Sequence, residues 1–269
     1  MNPMLPAFQQ GVDMSPHPIL QAAGVSRFYG ERVGCKGVTF DLWPGEVLGI
    51  VGESGSGKST LLRCLAGIDN PTSGRVLFRD VDSDLDIHGL GEPARRGLMR
   101  RAWGLVHQNP RDGLRMDVSA GGNVGERLMD RGCRNYGEIR VRASDWLRRV
   151  EIDAGRIDDL PRRFSGGMQQ RLQIARVLVS EPRLVYMDEP TGGLDVSVQA
   201  RLLDLLRALV RDMGIAAIIV THDLGVARLL TDRLMVMKDG EVIEHGLTDQ
   251  VLDDPQHAYT QLLTSAVLT

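Results

Sequence analysis

A glycine-rich segment between two apolar runs constrains the fold of this chain more than any other feature. Residues 52–60 read Gly-Glu-Ser-Gly-Ser-Gly-Lys-Ser-Thr, between the strand-like residues 47–51 and the helix-like residues 61–66. A strand, a glycine-rich loop and a helix in this order build a phosphate cradle, because glycines let successive backbone N–H groups point at one anion. Lys58 adds a positive charge near the outer phosphates, and Ser59 offers a hydroxyl to Mg²⁺. The segment therefore predicts binding of a nucleoside triphosphate, in preference to a glycine-rich turn without a ligand.

The composition of the chain argues against several other classes of protein. Its 269 residues, 42% of them apolar, suffice for one large α/β domain with a small attached subdomain. The net charge of −3 gives no global electrostatic reason to expect nucleic acid or an anionic membrane as a partner. The longest apolar run, residues 215–220, is far shorter than the about 20 residues of a membrane-spanning helix. The three cysteines lack metal-ligand spacing and indicate reduced thiols, so we expect a cytoplasmic protein.

The order of the apolar segments predicts an α/β fold. Residues 184–187 and 215–220 are buried-strand candidates, and leucines between them recur at helical spacing, which favours a βαβ unit in a mostly parallel sheet. A hairpin is predicted about the turn Asp239-Gly240, from residues 234–237 and 242–243. Before the glycine-rich segment, short strands separated by turns predict an N-terminal antiparallel β part, with strands at 19–25 and 38–42.

The middle of the chain is predicted to be a helical insertion between the halves of the sheet domain. Residues 118–129 and 138–150 are its helix-like segments. Upstream, alternating aspartates predict a solvated loop over residues 80–86, and four arginines predict a basic helix face over 95–101. We therefore expect a flexible N-terminal extension (1–18), a nucleotide-binding core (19–110 and 165–245), a helical subdomain (111–164) and a C-terminal helical tail (246–269).

Two carboxylates follow one of the predicted buried strands. Asp188 and Glu189 come directly after residues 184–187, at the carboxyl edge where ligands bind in open α/β sheets. Asp188 suits a position that holds Mg²⁺ through water, and Glu189 suits one that orients or deprotonates an attacking water. The alternative is that the pair caps the next helix, since carboxylates favour helix N-termini.

A histidine follows the next apolar strand. His222 lies in the sequence Thr221-His222-Asp223, directly after residues 215–220, and is therefore expected at the same sheet edge. An imidazole there is suited to binding the terminal phosphate, although a single histidine after a strand is more often structural.

A second anion-binding element precedes another helical pattern. Ser165, Gly166 and Gly167 stand at the predicted start of a helix whose apolar face includes Leu172 and Ala175. Free N–H groups and the helix dipole make such a start suited to phosphate. The chain thus carries two phosphate-binding elements about a hundred residues apart.

Taken together, these motifs resemble those of the ATP-binding-cassette (ABC) ATPases, from about residue 19 to residue 263. Residues 52–59 match the Walker A loop, Gln108 the Q-loop, residues 165–168 the signature motif, residues 184–188 the Walker B strand and residues 193–195 the D-loop. The resemblance implies that Lys58, Gln108, Glu189 and His222 act in catalysis, and that Ser59, Gln108 and Asp188 hold Mg²⁺. It implies ATP contacts from Tyr29, which would stack on adenine, and from Gly52, Glu53, Ser54, Gly55, Ser56, Gly57, Lys58, Ser59, Thr60, Ser165, Gly166, Gly167 and Asp195.

The resemblance also implies a dimer. In that family two cassettes face each other head to tail, so that the signature motif of one completes the Walker A loop of the other across ATP. One motif set per chain therefore predicts a second ABC subunit as partner, here a homodimer. Two positions depart from the commonest signature: Phe164 replaces leucine and Met168 replaces glutamine, while Ser165, Gly166 and Gly167 are retained.

Other segments resemble particular members of this family. Four segments are similar to the ATP-binding subunit of the carbon–phosphorus lyase system: residues 41–46, 103–115, 118–129 and 157–161. That similarity implies docking on soluble carbon–phosphorus lyase core subunits and a role in phosphonate breakdown, without nucleic acid and without insertion into the membrane. Residues 254–263 also resemble the ATPases of dipeptide and oligopeptide importers, which is the alternative. A DNA-repair or translation factor is less favoured, because the chain has neither a long coiled-coil insertion nor paired cassettes.

Overall fold

The computed structural model describes residues 17–80 and 83–266. The predicted N-terminal extension therefore lies outside the described residues, except for its last two positions. The strands are β1 (Leu20–Tyr29), β2 (Arg32–Leu42), β3 (Val47–Val51), β4 (Ser73–Asp80), β5 (Ser83–Asp86), β6 (Trp103–Val106), β7 (Leu184–Asp188), β8 (Ala216–Val220), β9 (Arg233–Lys238) and β10 (Glu241–Leu247). The helices are α1 (Lys58–Leu65), α2 (Glu92–Ala102), α3 (Pro110–Gly113), α4 (Ala120–Asp130), α5 (Tyr136–Arg149), α6 (Gly166–Leu178), α7 (Val196–Met213), α8 (Leu224–Leu230), α9 (Thr248–Asp253) and α10 (Ala258–Ser265), with short 3-10 turns at Ala154–Arg156 and Pro161–Arg163.

A mostly parallel sheet carries the central strands in the order β10-β9-β3-β8-β7-β6. Strands β9, β3, β8, β7 and β6 pair in parallel, and β10 joins β9 through an antiparallel hairpin. Asp239 and Gly240 both have positive φ in that hairpin turn, at 49° and 84°, as a tight hairpin turn requires. Because β3, β7 and β8 are neighbours, the segments that follow them meet at one edge of the sheet.

A second sheet is antiparallel, in the order β2-β1-β4-β5. Its apolar face packs with α1 and the central sheet in one buried cluster that includes Leu20, Phe78, Leu61 and Leu48. Helices α4, α5 and α6 share another cluster with the opposite side of the central sheet, including Val124, Trp146 and Leu172. The predicted fold class is confirmed: an α/β cassette with a mostly parallel core, an N-terminal antiparallel β part and a helical region.

The loop predicted over residues 80–86 is wrong where the structure describes it: Asp80 ends β4, and residues 81 and 82 lie outside the described ranges. Residues 83–86 form β5, which pairs with β4 through Phe78 opposite Leu85 and Arg79 opposite Asp84. The Arg79 guanidinium donates to both carboxylate oxygens of Asp84, at 3.1 and 3.2 Å, so the acidic residue is paired across the two strands. Alternating aspartates at an edge strand expose charge on one face, which resembles a solvated loop when only the sequence is read.

The helix predicted for the arginine-rich residues 95–101 lies within α2. The segments predicted to be helical at 118–129 and 138–150 correspond to α4 and α5. The residue boundaries predicted for the core, the helical subdomain and the C-terminal tail stay predictions. Over the ranges 17–80 and 83–266, no helix is both long and apolar enough to cross a membrane.

Candidate functional site

A cavity of about 980 Å³ opens above the segment that joins β3 to α1. Twelve of the predicted site residues line it: Tyr29, Gly52, Glu53, Ser54, Gly55, Gly57, Lys58, Ser59, Thr60, Gln108, Glu189 and His222. Ser56 is buried in the same segment, and its backbone oxygen accepts from Gly240 N at 3.0 Å. The structure therefore brings the ends of β3, β6, β7 and β8 together around one space of nucleotide size.

Two glycines in this segment have no room for a side chain. A Cβ at Gly52, where φ is 148°, would lie 2.2 Å from Met237 O. A Cβ at Gly57, where φ is 101°, would lie 2.0 Å from Gly34 O. Gly57 is the N-cap of α1, and the first turn of that helix, whose N–H groups have no intrahelical partner, lines the cavity through Lys58, Ser59 and Thr60. The close backbone packing and left-handed φ values hold the loop in the shape that a polyphosphate requires.

The Lys58 side chain is buried beneath this loop, with 5% of its surface exposed. Its Nζ donates to Gly52 O at 2.8 Å and to Glu53 O at 2.7 Å. Burial lowers the pKa of Lys58, while the carboxylates of Glu189, Asp188 and Glu53 act in the opposite direction. The ammonium group is thus held among backbone oxygens at the floor of the cavity, where it can accept a bound anion as a further partner.

Ser59 and Asp188 form the oxygen pair expected at a divalent cation. The Ser59 hydroxyl donates to Asp188 Oδ1 at 3.1 Å. Burial raises the pKa of Asp188, the neighbouring charge of Glu189 acts in the same direction, and the Ser59 hydrogen bond opposes them. A carboxylate that is costly to keep charged is suited to a cation, and a hydroxyl and a carboxylate are ligands that Mg²⁺ takes. These two residues could hold Mg²⁺ where the outer phosphates of a nucleotide would lie.

Glu189 links the ends of three strands. Its Oε2 accepts from Gln108 Nε2 at 2.9 Å, and its Oε1 lies 3.0 Å from His222 Nδ1. The backbone of Glu189 has a φ of 44°, and its N–H donates to Val220 O at 2.8 Å. A non-glycine residue in this conformation costs free energy, which the surrounding bonds must offset, and such strain is concentrated at functional sites. The arrangement aims a carboxylate into the cavity between a neutral amide and an imidazole.

Tyr29 forms one wall of the cavity. It ends β1, is 44% exposed, and has the Arg27 guanidinium 4.7 Å from its ring centroid. Its hydroxyl lies 3.5 Å from Asp69 Oδ2. A ring covered on one face by a cation and open to the cavity is suited to stacking on a flat heterocycle.

The signature residues and Asp195 lie outside the cavity. Ser165 is exposed and caps α6, its Oγ accepting from Met168 N at 3.3 Å. Gly166 is also exposed, and a Cβ there would have its nearest contact at 3.9 Å, with Leu194. Gly167 is buried against α7, where a Cβ would lie 2.6 Å from Val198. Asp195 immediately precedes α7. None of these four lines the cavity of its own chain.

Sequence reasoning missed five further lining residues: Arg32, Val33, Gly34, Leu224 and Leu263. Arg32, Val33 and Gly34 begin β2 directly after the turn from Tyr29, so a hairpin prediction at that turn would have placed them beside the ring. Leu224 begins α8 two residues after His222. No local signal identifies Leu263, which reaches the cavity from α10.

Comparisons with known proteins agree with this geometry. The family described as ABC transporter matches residues 35–192. The chain is 62% identical over 251 residues to PhnK of Escherichia coli (strain K12), an ATP-binding protein named for phosphonates utilization, covering 93% of this chain and 98% of that protein. It is 36% identical over 259 residues to the dipeptide transport ATP-binding protein DppF of Escherichia coli (strain K12), covering 93% of this chain and 76% of that one.

A solved structure shares the architecture. The ATP-binding cassette MJ0796, in a dimeric post-hydrolysis state with ADP and Pi, superposes with a TM-score of 0.76 at 32% identity, covering 85% of this chain and 98% of that one. The family match spans more than half of the chain and includes the glycine-rich loop, Gln108, the signature motif and Glu189. From the cavity, the residues around it and these relatives, we conclude that the chain belongs to the ABC transporter family and is an ATP-binding ATPase.

Proposed function

We propose that two copies of this chain close head to tail on two ATP molecules with Mg²⁺, and that this cycle acts on soluble carbon–phosphorus lyase subunits during phosphonate breakdown. The observation that carries the first part is the separation of the two phosphate-binding elements. Lys58, Ser59 and the glycine-rich loop line the cavity, whereas Ser165, Gly166 and Gly167 lie outside it. A second copy can bring its signature motif to the open side of the cavity, and the dimeric state of MJ0796 supports this arrangement.

In the proposed reaction, the loop N–H groups and Lys58 bind the outer phosphates, and Tyr29 stacks on adenine. Bound Mg²⁺ would neutralise phosphate charge, held by Ser59 and Asp188 with Gln108 nearby. Glu189 takes a proton from the attacking water, while Gln108 and His222 fix the two carboxylate oxygens. His222 is 63% exposed at its side chain and is therefore free to contact the terminal phosphate.

The negative charge of bound ATP would favour closure of the proposed dimer. Two triphosphates between two surfaces are bridging anions, and Ser165 with the N–H groups at the start of α6 offers each of them donors from the partner subunit. Asp195, at the start of α7, follows Leu194, whose side chain lies 3.9 Å from the position of a Cβ at Gly166, and Asp195 is proposed to contact the opposite site. Cleavage and release of the terminal phosphate remove the anion that favours the closed state.

The relatives favour the phosphonate role over peptide import. Identity to the protein named for phosphonates utilization is 62%, and to the dipeptide transport protein it is 36%, each over 93% of this chain. The test is to purify the tagged chain from phosphate-starved cells with a non-hydrolysable ATP analogue and to identify what remains bound. Soluble lyase subunits support the proposal, whereas integral permeases would favour the importer.

We expect Lys58→Ala to lower the affinity for ATP by about 30- to 150-fold, because a buried cation among phosphate oxygens contributes about 2–3 kcal/mol. The measurement is calorimetry of ATP binding under conditions without turnover. Lys36→Ala is the matched control, since Lys36 is exposed and pairs with Glu241 at 2.6 Å. Equal affinities for the two variants would contradict the cradle role of Lys58.

Tyr29→Ala should weaken ATP binding about three- to tenfold, because aromatic stacking contributes about 1 kcal/mol beyond the buried area. Turnover at saturating ATP should change little, since the side-chain contacts of Tyr29 are with Arg27 and Asp69, whereas Glu189 is held by Gln108 and His222. Tyr136→Ala, at an exposed tyrosine on α5, serves as the control in the same titration. If Tyr29→Ala leaves ATP affinity unaltered, the adenine platform lies elsewhere.

A further inference from the structure

Arg156 contacts residues on both sides of Ser165. Its guanidinium carbon lies 4.4 Å from the centroid of the Phe164 ring. Its Nη2 donates to Arg163 O at 3.1 Å, and its Nη1 donates to Met168 Sδ at 3.6 Å. One side chain therefore touches the backbone before the signature serine, the ring next to it and a side chain in the first turn of α6.

Arg156 is itself held in place. Its Nε donates to Asp159 Oδ2 at 2.8 Å, and Arg156 holds the pKa of Asp159 below its ordinary value, so the carboxylate stays ionised. Asp159 O accepts from Ala120 N at 2.8 Å, which ties this turn to the start of α4. The planar fork of arginine makes these contacts at once, whereas an ammonium group would not.

Two of the contacted residues are the two departures from the commonest signature. Phe164 stands in place of leucine and gives Arg156 an aromatic face. Met168 stands in place of glutamine and gives it a polarizable thioether. Both changes thus have a common physical explanation in their contact with one guanidinium.

We propose that Arg156 is a positioning residue for the ATP site of the partner subunit, because it fixes the backbone and side chains around Ser165, Gly166 and Gly167. The role rests on the proposed dimer, in which those three residues meet the phosphates of the other copy. Among the described residues, the partners of the Arg156 guanidinium given above do not line the cavity of its own chain, so Arg156 acts on closure and turnover rather than on the first binding of ATP. Holding the donors in one geometry before ATP arrives reduces the ordering cost of closure.

The experiment compares Arg156→Leu with Arg140→Leu. Arg140 forms a bidentate pair with exposed Asp158, which is next to Asp159. The Arg140→Leu substitution therefore also removes one arginine from this region, and it serves as the control. Dimerisation is followed by light scattering against ATP concentration in a Glu189→Gln background, and kcat and KM are measured without that background. We expect Arg156→Leu to raise the ATP concentration for half-maximal dimerisation about tenfold and to lower kcat similarly, since it removes a cation–π contact and three donated hydrogen bonds.

ATP affinity of the monomer, measured by calorimetry below the dimerisation range, should stay within about twofold, since the cradle is untouched. Arg140→Leu should match the parent in ATP-dependent dimerisation, in kcat and KM, and in the ATP affinity of the monomer. Arg156→Lys should give values between those of the parent and of Arg156→Leu. Phe164→Leu should reduce the effect of Arg156→Leu from about tenfold to about threefold, because the two residues share one contact.

Two results would overturn the role of Arg156: equal dimerisation curves for Arg156→Leu and Arg140→Leu, or fully additive effects of Arg156→Leu and Phe164→Leu. Thermal melting of each variant separates loss of positioning from loss of folding. A Glu189→Gln parent that stays monomeric at saturating ATP would instead refute the proposed dimer itself. The two failures are therefore distinguishable in one titration.

Discussion

Glu189→Gln is expected to lower kcat for ATP hydrolysis by about 100-fold or more, while ATP binding is retained. The amide has the shape of the carboxylate and can still accept from Gln108 Nε2, which lies 2.9 Å from Oε2 in the wild type. It cannot take a proton from water, and it can no longer offer a charged oxygen to His222. Because the cradle is unchanged, the variant should accumulate as an ATP-bound dimer, which light scattering and single-turnover kinetics would detect.

Glu241→Gln is the matched control, since Glu241 is exposed, forms an ion pair with Lys36 and does not line the cavity. Its hydrolysis rate should equal that of the wild type. If Glu189→Gln hydrolyses ATP at the rate of this control, the carboxylate is not the base, and another group must activate the water. A variant that fails to bind ATP would indicate that the left-handed backbone at Glu189, with φ at 44°, depends on the native side chain.

The glycine-rich loop was predictable because several local signals agree. A buried strand, β3, leads into glycines with positive φ, and α1 begins at Lys58. The parallel pairing of β7 and β8 also followed from the chain, because two apolar runs on either side of an amphipathic helix form a βαβ unit. These predictions depend only on neighbouring residues, and the structure places Asp188, Glu189 and His222 at the expected sheet edge.

The strands of the antiparallel sheet were less predictable from the sequence, because pairing with a neighbouring strand, rather than local preference, determines which residues become a strand. Residues 83–86 carry two aspartates and no strong strand former beyond Leu85, yet they form β5 by pairing with β4. In the central sheet, the edge strand β6 likewise has only four residues and includes Gly104, against which Val177 of α6 packs closely. Such short segments become strands through tertiary contacts, which override weak local preference.

In the candidate site, too, residues in local sequence motifs were predicted, whereas residues brought there by tertiary packing were not. Gly34 was missed because its role depends on Gly57, which is distant in sequence and whose Cβ would meet Gly34 O. Leu263 reaches the cavity only through the packing of α10. Arg156 had no motif at all, and its importance follows from contacts that span twelve residues of chain. Residues that bind phosphate through the backbone leave a sequence pattern, whereas residues that support them by packing do not.

Mixing two inactive variants is expected to restore activity if the sites are shared between copies. Lys58→Ala removes the cradle cation but keeps the signature motif. Gly166→Asp places a carboxylate where the phosphates of the partner site would lie but keeps the cradle. The nearest atom to a Cβ at Gly166 is 3.9 Å away, so the side chain fits within its own subunit. A negative charge at the start of α6 is also compatible with the helix dipole.

Each variant alone should hydrolyse ATP at a small fraction of the wild-type rate, because both sites of its homodimer carry the same defect. In an equal mixture, random pairing makes about half of the dimers mixed. One of the two sites in each mixed dimer joins the intact cradle of Gly166→Asp to the intact signature of Lys58→Ala. About a quarter of all sites are therefore complete. The steady-state rate of the mixture should therefore approach about a quarter of the wild-type rate. A mixture no faster than the mean of its two components would contradict the proposed sharing of sites, in which Ser165, Gly166 and Gly167 of one subunit serve the cavity of the other.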